Sequence, residues 1–104
     1  MDRRIWKARL MPNMRDEYVR RHDEIWPEMI DELRAAGIRN YTIWNNGDEL
    51  IGYYECEDLT ACEAYKAQSE VMRRWSVSMQ GIMEMETDPE TGSVKTFDQL
   101  FKLM

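Results

Sequence analysis

The chain has 104 residues, which fits one domain over residues 1–104. Hydrophobic residues make up 43% and charged residues 33%, a balance that excludes a disordered chain, and no apolar run is long enough to span a membrane. Fourteen Lys and Arg against twenty Asp and Glu leave a net charge of −6, which argues against a nucleic-acid partner. One histidine and two cysteines, Cys56 and Cys62, form no metal-ligand pattern, so the expectation is a domain without cofactor or metal. No apolar signal stretch follows Met1-Asp2-Arg3-Arg4, so a cytoplasmic protein with free thiols is expected.

Arg3–Met11 mixes charges with Ile5, Trp6, Leu10 and Met11 and reads as a strand. Pro12-Asn13 ends it. Asn13 is the expected cap of a helix that carries Asp16 and Glu17 in its first turn and runs to Ala36, stopped by Gly37. Pro27 lies inside that span, and its ring clashes with the carbonyl of Asp23, which demands a kink or a break into two helices. Ile38–Asn45 and Glu49–Glu57 are rich in aromatics and Ile, with Asn46-Gly47 between them as a strong hairpin signal. A helix is expected over Leu59–Ala67 and another over Glu70–Met83, capped by Ser69. An acidic loop, Glu84–Gly92, then leads into an expected last strand, Val94–Leu103. The order β-α-β-β-α-β is that of the ferredoxin-like α+β fold.

The strands carry an expectation about assembly. Simple alternation puts Ile38 and Trp44 opposite Tyr41 and Ile43, Leu50 and Tyr54 opposite Ile51 and Tyr53, and Phe97, Phe101 and Leu103 opposite Val94 and Leu100. Both sheet faces then bear large apolar groups, while two helices cover only one. A homodimer packed sheet to sheet, as in a dimeric α+β barrel, is the expected consequence.

On a helical wheel the first helix has an apolar stripe of Met14, Tyr18, Ile25, Met29 and Leu33, with Trp26 and Ile30 at one margin. Arg20, Asp23, Glu24 and Asp31 lie opposite. His22 falls within the stripe, one turn after Tyr18. It reads either as a satisfied core histidine or as an acid–base group in a pocket, since imidazole moves a proton either way near neutral pH. Trp75 shares a stripe with Val71, Met72, Met79 and Ile82 and reads either as core or as a face for a sugar ring. Arg73-Arg74 reads as a solvated pair, and the nine methionines suit adaptable packing.

The run Glu17-Tyr18-Val19-Arg20-Arg21-His22-Asp23-Glu24-Ile25-Trp26-Pro27-Glu28 resembles the signature of the L-rhamnose mutarotases, Tyr-x-x-x-His-x-x-Ile-Trp-Pro-Glu. Asn40-Tyr41 with Ile43, and Arg74-Trp75 with Met79, look like further segments of that family, and the resemblance covers nearly the whole chain. It implies a cofactor-free, homodimeric isomerase that interconverts the α and β anomers of L-rhamnose or a related deoxysugar. By that resemblance His22 corresponds to the catalytic proton donor, and Tyr18, Tyr41 and Trp75 to sugar contacts. Ser76 stands where the family has a second Trp, which removes a large wall and leaves room for a related aldose. The alternatives are a cofactor-independent oxygenase on the same fold and a non-catalytic sugar-binding module. An acylphosphatase is set aside, because a Gly-rich anion loop near the first strand is missing.

Overall fold

The computed structural model describes residues 1–103; Met104, the last residue of the expected domain span, lies outside them. The elements are β1 (Asp2–Leu10), α1 (Arg15–Asp23), α2 (Pro27–Ala35), β2 (Arg39–Asn46), β3 (Glu49–Cys56), α3 (Leu59–Gln68), α4 (Glu70–Ser78) and β4 (Met83–Met85). The sheet is antiparallel in the order β2-β3-β1-β4, the ferredoxin-like arrangement, with the helices over one face. No helix among the described residues is long and apolar enough to cross a membrane.

The core follows from alternation. Trp6, Ala8 and Leu10 of β1, and Leu50, Tyr54 and Cys56 of β3, are buried on the helical side. Above them lie Tyr18 of α1, Met29 of α2, Cys62 of α3 and Met72 of α4. Register places Trp6 directly opposite Gly52. A Cβ on Gly52 would lie 2.0 Å from Cε2 of Trp6, so the indole lies across the strand only because residue 52 has no side chain.

Pro27 resolves the first helical span into two helices, since it stands at the start of α2 where a missing N–H costs nothing. Gly37 closes α2 as expected. At φ 90° it donates to the Arg34 carbonyl while Ile38 donates to that of Leu33, and this Schellman geometry brings the side chains at 33 and 38 together. Ser69 caps α4 by accepting from the Met72 N–H, and its hydroxyl donates to Glu32 of α2 at 2.8 Å. Asp58 caps α3 in the same way, accepting from the Ala61 N–H.

Several sequence expectations require correction. Asn13 does not cap α1; it takes φ 63° in the turn after β1, and Met14 occupies the cap position without a side-chain bond. The hairpin turn is Gly47-Asp48, with Gly47 at φ 62°, rather than Asn46-Gly47. Alternation along β2 is broken by a bulge between Arg39 and Thr42, with Asn40 at φ 50°. The extra residue puts Ile38 in the core while Trp44, expected on the same side, is 67% exposed on the open face. Helix α4 ends at Ser78, short of Met83, because the chain turns through Gly81 at φ 83° to bring Ile82 back into the core.

The largest correction concerns the last strand. The edge strand is the three-residue β4, Met83–Met85, whose first residue ends the expected last helix and whose other two begin the expected acidic loop. Residues 94–103 form no strand and are tied back by the isolated bridge Thr87 to Val94 and by Lys95, which bonds Glu86 through its backbone N–H and its side chain. Phe97, Leu100, Phe101 and Leu103 are exposed. They have no core to enter within one chain, and short apolar runs do not distinguish a strand from an extended tail.

Candidate functional site

A cavity of about 720 Å³ lies between the sheet and helices α1, α2 and α4, within the size range of small-ligand sites. Each element brings a side chain to it: α1 supplies Tyr18 and His22, β2 supplies Tyr41, and α4 supplies Trp75 and Ser76. All five residues singled out in the sequence line this one space. The wall between them is mostly apolar, with Leu10, Met29 and Leu50 among its residues.

Helical spacing sets the first contact. Four residues apart on α1, the Tyr18 and His22 rings stack with centroids 4.2 Å apart. The Nδ1 of His22 lies 2.9 Å from the Tyr18 carbonyl oxygen. A carbonyl only accepts, so Nδ1 carries the proton and Nε2 is left for the cavity. Trp75 meets the same imidazole edge-on at 5.4 Å and Trp26 edge-on at 5.2 Å. The guanidinium of Arg74 lies 5.9 Å from the Trp26 ring, so the series Tyr18–His22–Trp75–Trp26 ends on a cation and fixes the imidazole from both sides.

A hydrogen bond from a charged side chain ties α1 to α4. Glu17 accepts from Arg20 and Arg21, and these bonds hold its carboxyl down at about 2. Arg21 in turn donates to the Ser78 carbonyl at the end of α4, a favourable place for a cation.

On the sheet side, the Tyr41 hydroxyl accepts from Trp6 Nε1 at 2.9 Å, and its ring packs on Tyr54 at 5.2 Å. Burial pushes the Tyr41 hydroxyl up to about 12; burial, with Tyr41 nearby as a second cause, also drives Tyr18 well above the usual phenol range. Both remain neutral hydroxyls at physiological pH. Lys66 of α3, which also lines the cavity, donates to the Tyr54 hydroxyl at 3.0 Å, and that hydroxyl donates to Glu63. Among the described residues no group of three or more His, Cys, Asp or Glu could hold a metal ion.

Sequence reasoning did not assign Trp26, Lys66 or Trp6 to this surrounding. Trp26 lies at the margin of the wheel, and the break at Pro27 turns it toward Trp75. For Trp6 a signal existed: Gly52 inside an apolar strand marks a close approach.

Residues 3–103 match the model of the L-rhamnose mutarotase family. A relative described as an L-rhamnose mutarotase from Burkholderia ambifaria is 40% identical, over 99% of each chain. Another so described, from Oceanobacillus iheyensis, is 34% identical over 85% of this chain and 86% of its own. Among solved structures, an L-rhamnose mutarotase from Formosa agariphila has a TM-score of 0.78 at 21% identity over the full length of both chains. A dimeric ferredoxin-like protein from an uncultured marine organism scores 0.62 at 11% identity, covering 98% of this chain and 96% of its own, a likeness of fold. Given the match along nearly its whole length and relatives of this identity, the chain belongs to the L-rhamnose mutarotase family.

Proposed function

We propose that the chain interconverts the α and β anomers of L-rhamnose, or of a closely related deoxysugar, by acid–base ring opening and reclosure. It is an isomerase of the aldose 1-epimerase type. The observation that carries the assignment of the acid is the tethered imidazole. With Nδ1–H bound to the Tyr18 carbonyl, Nε2 is the nitrogen left for chemistry in a cavity that His22 lines with Tyr18 and Trp75. In its cationic form His22 donates the Nε2 proton to the ring oxygen while water takes the anomeric proton. The bond from C1 to the ring oxygen breaks and C1 becomes an aldehyde. After rotation about C1–C2, Nε2 takes the proton back as the ring oxygen attacks the other face of C1, and the new anomeric oxygen is reprotonated.

Trp75 offers a flat apolar wall for the sugar, Tyr18 and Tyr41 offer neutral hydroxyls, and Ser76 provides a small polar wall in place of a large one. No cofactor is required by this chemistry. The chain acts as a homodimer in the cytoplasm; support comes from the open apolar sheet face, the exposed tail and the free thiols Cys56 and Cys62.

The test is anomer exchange of L-rhamnose measured by saturation-transfer NMR. The wild type is expected to accelerate exchange, and His22→Ala to lose about 10²-fold or more of kcat, as removal of a positioned acid does. Undiminished activity in His22→Ala overturns the assignment of the acid; acceleration of another aldose but not of L-rhamnose moves the error to the wall around Ser76.

A further inference from the structure

We propose that Trp6 is a positioning residue for the sugar reaction: its indole N–H, held across Gly52, fixes the Tyr41 hydroxyl so that the phenolic proton is directed into the cavity. The proposal rests on the mutarotase reading above. It concerns a residue that does not itself line the cavity.

A phenol is both donor and acceptor, and left alone its proton rotates between partners. Here the acceptor side is taken by Trp6 Nε1 at 2.9 Å. Indole nitrogen can only donate, so the Tyr41 proton cannot point back at Trp6. Among the described residues none accepts that proton, while Tyr41 lines the cavity. The hydroxyl is therefore preset as a donor to a sugar oxygen. A donor whose own oxygen already accepts is polarised by that bond, so the Trp6–Tyr41–sugar chain is cooperative.

The geometry is built rather than incidental. Trp6 stands opposite Gly52, and Gly52 in turn stands opposite Ile43 on β2. To reach Tyr41 from β1 the indole must cross β3, and any side chain at position 52 would occupy the indole's place. The bulge at Asn40 resets the phase of β2, so that Tyr41 faces the same layer as Trp6 and Tyr54. Burial keeps the hydroxyl protonated, and thus a donor, across the neutral range.

The experiment is a double-mutant cycle on L-rhamnose anomer exchange with Trp6→Phe, Tyr41→Phe and the pair, together with 1H–15N spectra of the indole N–H groups. Trp6→Phe keeps one aromatic ring and removes the donor together with the second ring of the indole; the cycle cancels the packing loss, which is common to both backgrounds. It is expected to lower kcat/KM about 3- to 10-fold, the scale of one hydrogen bond. In the Tyr41→Phe background the same change is expected to cost less than about 2-fold, because no hydroxyl remains to be positioned. A merely structural tryptophan would cost the same in both backgrounds, and that result overturns the proposal. Tyr41→Phe is expected to move one indole N–H resonance upfield, assigned to Trp6 by its absence in Trp6→Phe; an unmoved resonance overturns it as well, even where Trp6→Phe folds poorly. A wild type that fails to accelerate exchange overturns the mutarotase reading and this proposal with it, whereas an active wild type with a fully active Trp6→Phe overturns the proposal alone.

Discussion

Cys56 of β3 and Cys62 of α3 are both about 1% exposed, and neither is bridged. Burial pushes Cys62 up to about 11, and raises Cys56 as well. The thiolate is the reactive form, so these thiols are chemically quiet in the folded protein. Ellman's reagent is expected to modify them in the native state at least 10-fold more slowly than in denaturant. Equal rates would show that this part of the core opens freely. At the same scale, the positions of Tyr18 and His22 on one face of α1, and of Trp75 on the buried side of α4, were legible from helical spacing alone. The hydrogen bond from Trp6 to Tyr41 was not. It depends on cross-strand register and on a bulge at Asn40, and nothing in the local pattern of residues 38–45 announces an extra residue.

Between elements, Arg21, held by Glu17 within α1, connects the helix of the imidazole to the helix of the indole. The folded pKa of Glu17, about 2, lies below its ordinary 4.5. A depressed carboxylate contributes stability that is present above the unfolded value and lost as pH falls through the folded one. Glu17→Gln is therefore expected to lower the melting temperature at pH 7, and the gap from wild type is expected to narrow between about pH 4.5 and about 2. The effect is small, since Glu17 is at the surface and water screens the pair. A gap that is constant across this range would assign the role to something other than charge. The helix pair itself was legible because Pro and Gly punctuate it, at Pro27 and Gly37. The edge strand was not, because Met83–Met85 carries only three residues and its pairing with β1 is fixed by the turn at Gly81, a long-range consequence of where α4 stops.

For the whole molecule the open face of the sheet is the surface on which the proposed homodimer rests. Trp44 and Ile51 are register partners on that face, 67% and 42% exposed, and they form an apolar centre. Around them lie the ion pairs Lys7–Glu49 and Arg3–Glu55, a polar rim to an apolar patch. The exposed tail adds Phe97, Leu100, Phe101 and Leu103. Among the described residues nothing lies over either surface, and contiguous exposed apolar groups of this kind mark a contact site. The proposed cover is a second copy, because a two-fold axis lets the same patch serve both partners. Sedimentation equilibrium at micromolar concentration is expected to give twice the mass of one chain. Trp44→Glu places a carboxylate at the centre of the contact and is expected to give the mass of a single chain, with the circular dichroism spectrum unchanged because the side chain is outside the core. A wild type with single-chain mass would remove the homodimer, and a Trp44→Glu variant that keeps the double mass would move the contact from the sheet to the tail. Phe101→Glu then separates these two surfaces, since it alters the tail and leaves the sheet face intact.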